Sequence, residues 1–201
     1  NGVEVKYFFK GEECSSIVYL IDYSKADNNT FYAVNQYTYI ENGNNRRPDI
    51  ILFINGLPLV LMELKSPSKD EVGAENAYNQ IRNYIQDIPS MFIYNAICVI
   101  SDLTANKAGT ITSGLDRFMD WKSKDGIETV TLADFETFYE GMFQRERLLD
   151  IIKNFILFSG DAQNPIKILA GYHQYFAVKK AVERAKVATA TDGKGGVFWH
   201  T

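Results

Sequence analysis

Cysteine and histidine are scarce: the 201 residues hold two of each, Cys14, Cys98, His173 and His200. Four such scattered side chains build neither a disulfide framework nor a zinc cage. A Ser-His-Asp triad through His173 lacks the strained nucleophile turn around it. Proline is also sparse, with five residues, which excludes a Pro-rich linker, while twelve tyrosines and thirteen phenylalanines exclude a solvated tail. No apolar run approaches the roughly 20 residues that cross a bilayer, and no basic-then-apolar segment opens the chain. The expected compartment is therefore the cytoplasm, with no membrane partner. Positive charge is not in excess either, the net charge being −4. Nucleic-acid binders are usually basic because affinity comes largely from neutralised phosphates. That acidity counts against DNA binding by this stretch alone and leaves room for a local basic cleft or for partners that supply the grip. Any chemistry here must run on carboxylates, lysines and a metal.

What is present organises as one compact domain, or one domain plus the start of another. Residues 3–65 read as strands: 17–21 are an apolar run, and 31–40 are aromatic and β-branched. Asn42-Gly43-Asn44-Asn45 reads as a loop. Residues 49–65 give two apolar runs around Asn55-Gly56, a strong hairpin signal. Ser68 or Asp70 can cap a helix that runs to about Asp87, with Ala74, Ala77, Tyr78, Ile81, Tyr84 and Ile85 on one face and Pro89 closing it. Residues 96–103 are continuously apolar, as in a strand buried on both sides. Strand, helix and buried strand predict a right-handed crossover in a mixed sheet. Helices are expected at about 132–143 and 145–158, a linker at 161–165, and a further helix at 172–187 that carries Lys179, Lys180, Arg184 and Lys186. A flexible loop over 192–196 then leads into a strand beginning at Val197. The basic run from Lys179 to Lys186 reads first as a solvated face.

The informative stretch is Pro48-Asp49 with Glu63-Leu64-Lys65. If the hairpin turns about Gly56, Asp49 and Glu63 each lie seven positions from the turn and face each other. Their Cβ atoms would then be about 5 Å apart, and Lys65 would project from the same face as Glu63. Two facing carboxylates repel, but a divalent cation between them reverses the sign. Mg²⁺ suits such an oxygen site, and a lysine beside it helps position or deprotonate a water for phosphodiester hydrolysis. The plainer alternative is a loop-end Asp49 and a solvated strand face. Against it, residues 50–53 and 57–61 are too apolar for an open ribbon, and Pro48 and Pro67 bracket the site stiffly. A one-residue shift of the turn would take Asp49 out of register.

Pro48-Asp49 with Glu63-Leu64-Lys65 resembles the catalytic signature of the PD-(D/E)xK nucleases. Gln80-Ile81-Arg82-Asn83-Tyr84 is similar to the Gln-x-x-x-Tyr motif of their RecB-like branch, and one helical turn brings Gln80 and Tyr84 to one face. The whole layout resembles the amino-terminal part of the R (HsdR) subunit of type I restriction endonucleases. The matching segments are FYAVNQY at 31–37, the hairpin, Ile100-Ser101-Asp102, residues 171–178, and residues 195–201, which are similar to the strand before a Walker A loop. The resemblance implies that Asp49 and Glu63 bind Mg²⁺ with the Leu64 carbonyl, that Lys65 orients the attacking water, and that Gln80 and Tyr84 hold the lysine or the DNA backbone. It also implies an adenine-reading role for Gln174. The helical acidic residue of many relatives has no clear counterpart.

On this basis the expected fold is α/β, a restriction-endonuclease-like mixed sheet flanked by helices and followed by the start of a RecA-like motor domain. The expected division is a nuclease domain at 1–145, a helical linker at 146–165, and the start of the motor at 166–201. The expected function is that of a type I site-specific deoxyribonuclease: Mg²⁺-dependent cutting of duplex DNA without sequence readout at the cut. ATP-driven translocation and the methylation (M) and specificity (S) subunits deliver the DNA. Without a P-loop Lys and Ser/Thr, this stretch is not expected to hydrolyse ATP. The alternative is a non-catalytic docking or DNA-sensing module on the same fold.

Overall fold

A computed structural model describes residues 2–66, 73–102, 104–131 and 134–197. An opening ribbon pairs β1 (Val3–Phe9) with β2 (Glu12–Val18), and both strands are largely exposed. After it come β3 (Phe31–Asn35) and a second small ribbon, β4 (Tyr39–Glu41) with β5 (Asn44–Arg46). The central hairpin is β6 (Ile50–Ile54) and β7 (Leu57–Leu64). Helix α1 (Gly73–Asp87) leads to β8 (Ile97–Ser101), and β9 (Asn106–Gly109) folds back on it. Helices α2 (Phe135–Phe143) and α3 (Arg145–Asn154) precede a third ribbon of β10 (Ile156–Gly160) and β11 (Pro165–Leu169), and α4 (Tyr172–Ala190) ends the order.

The main sheet has five strands in the order β3-β6-β7-β8-β9. Only β7 and β8 run parallel, because α1 carries the chain from one to the other; the remaining pairs are antiparallel. Side-chain alternation then builds a core on each face. Val60, Met62, Ile97 and Val99 point toward a cluster that includes Phe138 and Met142 of α2 and Leu148, Leu149 and Ile151 of α3. Ile51, Leu61, Cys98 and Ile100 point the other way, onto Ala77, Ile81 and Tyr84 of α1. The α/β mixed sheet with flanking helices is the expected architecture, and β8 is buried at every position.

Several expectations need correction. The hairpin does not turn about Gly56. Asn55 and Gly56 together form a two-residue loop, with φ of 51° and 84°, the double left-handed geometry that Asn-Gly favours. Ile54 therefore pairs with Leu57 and Phe53 with Pro58. A bulge then inserts Leu59, and from Leu52↔Val60 to Ile50↔Met62 the register is the one that brings Asp49 opposite Glu63. Asn42-Gly43 is likewise a tight turn, between β4 and β5, rather than a plain loop. The helix expected to 158 stops at Asn154, and residues 156–160 pair with 165–169 across the segment expected as a linker. Alternation of Leu157, Ser159, Ile166 and Ile168 is a short strand signal hidden behind a helical one.

A RecA-like start is not shown. Among the described residues after 165, the one strand is β11, and it pairs with β10. Leu169 and Tyr175 join the same cluster as Val60 and Leu149, so a single core runs across residues 145 and 165. Pro67, the capping candidates Ser68 and Asp70, Leu103, the start of the helix expected from 132, and residues 198–201 lie outside the described residues.

Candidate active site

The open end of the β6–β7 hairpin carries the expected residues. Asp49 sits immediately before β6, and its carboxylate is held on both sides: Leu64 N–H donates to Oδ2 at 2.8 Å and Gln36 Nε2 to Oδ1 at 2.9 Å. Glu63 is the penultimate residue of β7, on the α1 face, and is only 3% exposed. Lys65 continues the pairing with β8, its N–H donating to the Ser101 carbonyl at 2.7 Å, and its ammonium donates to Glu63 Oε1 at 2.7 Å. The other Glu63 oxygen, Oε2, is buried and has no hydrogen-bond partner among the described residues. An orphaned buried acceptor costs about 1–3 kcal/mol, more when charged, so this atom needs an explanation.

Electrostatics gathers more residues here. Burial pushes the Glu63 carboxyl above its ordinary range and the Asp49 charge adds to this, while the hydrogen bond and charge of Lys65 and the neighbouring Tyr84 hydroxyl pull it back. Burial also raises the Tyr84 hydroxyl, helped by the Glu63 carboxylate beside it and opposed by Gln80 one turn earlier on α1. Asp49, Glu63, Lys65, Leu64, Gln80 and Tyr84 are therefore one neighbourhood. An open recess of about 470 Å³ leads to it, lined by Asn35, Gln36, Asp49, Leu64, Lys65 and Ser101 among others.

A hard divalent cation matches this donor set. Mg²⁺ takes one or two carboxylates and keeps several waters, and a partnerless buried oxygen beside a second carboxylate is the feature such an ion would satisfy. Among the described residues no cluster of three or more His, Cys, Asp or Glu side chains forms, so main-chain oxygen and water would complete the shell.

Gln174 is not brought to this neighbourhood. It lies in the first turn of α4, where its Oε1 accepts the Gly171 N–H at 2.9 Å and so caps the helix. Within the basic run, Lys179 pairs with Asp150 at 2.9 Å and Lys180 donates to the Gly126 carbonyl. Asp102, in the Ile100-Ser101-Asp102 segment, holds the β8–β9 turn by accepting from Thr104 and Ala105. Sequence reasoning assigned no role to Gln36. Its segment was noticed, but no spacing ties residue 36 to residue 49; only the β3–β6 pairing does.

Comparison with known proteins follows the same line. A family model described as the type I restriction enzyme R protein N terminus matches residues 1–117. Over its whole length the chain is 38% identical to the type I restriction enzyme HindI endonuclease subunit of Haemophilus influenzae, covering 20% of that protein. It is 34% identical, again over its whole length, to the putative type I restriction enzyme MjaIXP endonuclease subunit of Methanocaldococcus jannaschii, covering 21% of it. With the EcoprrI endonuclease subunit of Escherichia coli it shares 29% identity over 90% of the chain and 58% of that protein. The chain thus spans about a fifth of the length of the first two relatives. By the family match and these identities, the chain belongs to the type I restriction enzyme R protein N-terminal family.

Proposed function

We propose that this chain is the Mg²⁺-dependent endonuclease part of a type I restriction R subunit, hydrolysing phosphodiester bonds of duplex DNA without reading sequence at the cut. The observation that carries the proposal is the buried Glu63 carboxylate beside the Asp49 charge, with one oxygen held by Lys65 and the other, Oε2, unpartnered among the described residues. Asp49 and Glu63, with the Leu64 carbonyl, would hold the ion. When bound, Mg²⁺ supplies charge neutralisation at the phosphate and a more acidic water. The lysine's N–H groups hold the attacking water and meet the negative charge that develops on the phosphoryl oxygens. The water oxygen bonds to phosphorus and the bond to the leaving sugar oxygen breaks. The proton lost by the water balances the one the leaving oxygen takes up. Gln80 and Tyr84, on α1, steady Lys65 or the DNA backbone.

The wider setting belongs to the same reading. ATP-driven translocation by the full-length subunit, with Gln174 reading adenine, brings DNA to the site, and the M and S subunits supply sequence recognition in the cytoplasm. The acidity of the chain suits a nuclease that depends on such neighbours for its grip on DNA. Residues 1–145 carry the nuclease site, and residues 146–201, whose Leu149 and Tyr175 share its core, lead toward the motor.

The test is calorimetric titration of Mg²⁺ and Mn²⁺ into the wild-type chain and Asp49→Ala at neutral pH, with and without duplex DNA, followed by cleavage in the assembled complex. Metal binding that disappears with Asp49→Ala and with Glu63→Ala, together with lost cleavage, is the expected result. Unchanged cleavage by a complex carrying Asp49→Ala would overturn it. So would no metal binding by the wild type even with DNA present.

A further inference from the structure

Gln36 stands out among residues that the site does not yet account for. It lies one position beyond β3, in the left-handed region at φ 53°. That conformation is rare for an L-residue with a long side chain, and at an exposed strand end Gly or Asn would relieve it. Both ends of this one residue grip Asp49. The Gln36 N–H donates to the Asp49 carbonyl at 2.9 Å, and its Nε2 donates to Asp49 Oδ1 at the same distance. The Leu64 N–H already holds Oδ2. Together the two donors fix the carboxylate's rotation, and Gln36 itself lines the recess. Strained backbone gathers where a geometry is being enforced, and here what is enforced is the angle of Asp49.

We propose that Gln36 is the positioning residue of the Asp49–Glu63 cation site, its amide locking the Asp49 carboxylate so that the remaining lone pairs meet the ion held by Glu63. This rests on the metal-site reading above. A carboxylate's outer partners set the orientation of a ligand that would otherwise rotate, and removing one typically weakens metal binding by about 10–100-fold.

The deciding variant is Gln36→Gly. Glycine adopts φ 53° without strain and keeps the main-chain bond to Asp49, so only the side-chain lock is removed. Gln36→Asn, which also tolerates this conformation but is one methylene too short, is the second variant. Mn²⁺ is titrated calorimetrically into the wild-type chain, both variants and Asp49→Ala, with thermal melting in EDTA alongside. The expected result is a melting temperature for Gln36→Gly at or above that of the wild type, with Mn²⁺ affinity reduced about 10-fold or more. In the assembled complex, kcat falls while the KM for DNA holds. Wild-type affinity in Gln36→Gly, with binding abolished in Asp49→Ala, would sink the role of Gln36 and leave the site intact. Equal metal binding by the wild type and Asp49→Ala would remove the site itself, and Gln36's role with it.

Discussion

The two ends of the β6–β7 hairpin obey different rules. At the turn, the whole Asn55 side-chain amide finds work: Nδ2 donates to the Leu20 carbonyl and to Asn29 Oδ1, and Oδ1 accepts the Thr30 N–H. Asn29 in turn accepts the Asp22 N–H and donates to main-chain carbonyls. At the far end, eight residues of β7 away, two carboxylates share a neighbourhood, one buried oxygen has no partner among the described residues, and a glutamine is held in left-handed backbone. One end is satisfied polar structure that locks a register. The other stores repulsion and strain, which is what a site completed by something external looks like.

The largest effect should come from the open end. Asp49→Ala and Glu63→Ala are expected to lower DNA cleavage by the assembled complex on the order of 10³-fold or more, with an unchanged circular dichroism spectrum. Lys65→Ala should cost roughly 10²–10⁴-fold if the lysine orients the attacking water as proposed. Retained cleavage in any of these would erase the contrast between the two ends.

Disturbing the closed end should unfold the protein instead. Asn55→Ala leaves the Thr30 N–H and its other partners unpaired and is expected to cost about 2–3 kcal/mol in urea denaturation. At Gly56, φ is 84° with open space around the missing Cβ, so Gly56→Ala tests backbone strain alone, at about 1–2 kcal/mol. Cleavage per folded molecule should stay at the wild-type level in both.

A smaller effect, of opposite sign, separates the ends most sharply. Glu63→Gln removes a buried charge that faces the Asp49 charge, so in EDTA it should stabilise the protein by about 1 kcal/mol while abolishing cleavage. Destabilisation would mean that the Lys65 bond outweighs repulsion and burial.

The smallest expected effect lies away from both ends. Burial would raise the Asp150 carboxyl, but hydrogen bonds from Lys179, Asn154 and Tyr175 outweigh it and hold the group below its ordinary value. A lowered folded value means stability that is present above the unfolded pKa and lost as pH falls through the folded one. With Lys179 half exposed and screened, Asp150→Asn should cost only about 0.5 kcal/mol at neutral pH, a difference that vanishes in acid.

The chain's pattern made the gathering of the candidate residues legible because both carboxylates and the lysine lie on one hairpin, where parity and local turn chemistry decide who faces whom. Helix α1 was legible for the same local reason: Ala77, Ile81 and Tyr84 recur at helical spacing and all are buried. The ribbon at 156–169 was not legible, since a helical run of Leu148, Leu149, Ile151 and Ile152 leads into it without a break signal. Its pairing partner is chosen by tertiary packing.

By itself, then, the sequence determined the parallel β7–α1–β8 unit, the hairpin, and the residues Asp49, Glu63 and Lys65, because each depends on neighbours close along the chain. Only the tertiary structure decided the bulge at Leu59, which restores the Asp49–Glu63 register after a turn that would have shifted it. It alone brought Gln36 to Asp49 across the β3–β6 pair and buried Glu63 beneath α1, leaving one of its oxygens without a partner among the described residues. Those contacts join strands through hydrogen-bond register and burial, and neither quantity is written in the local order of residues.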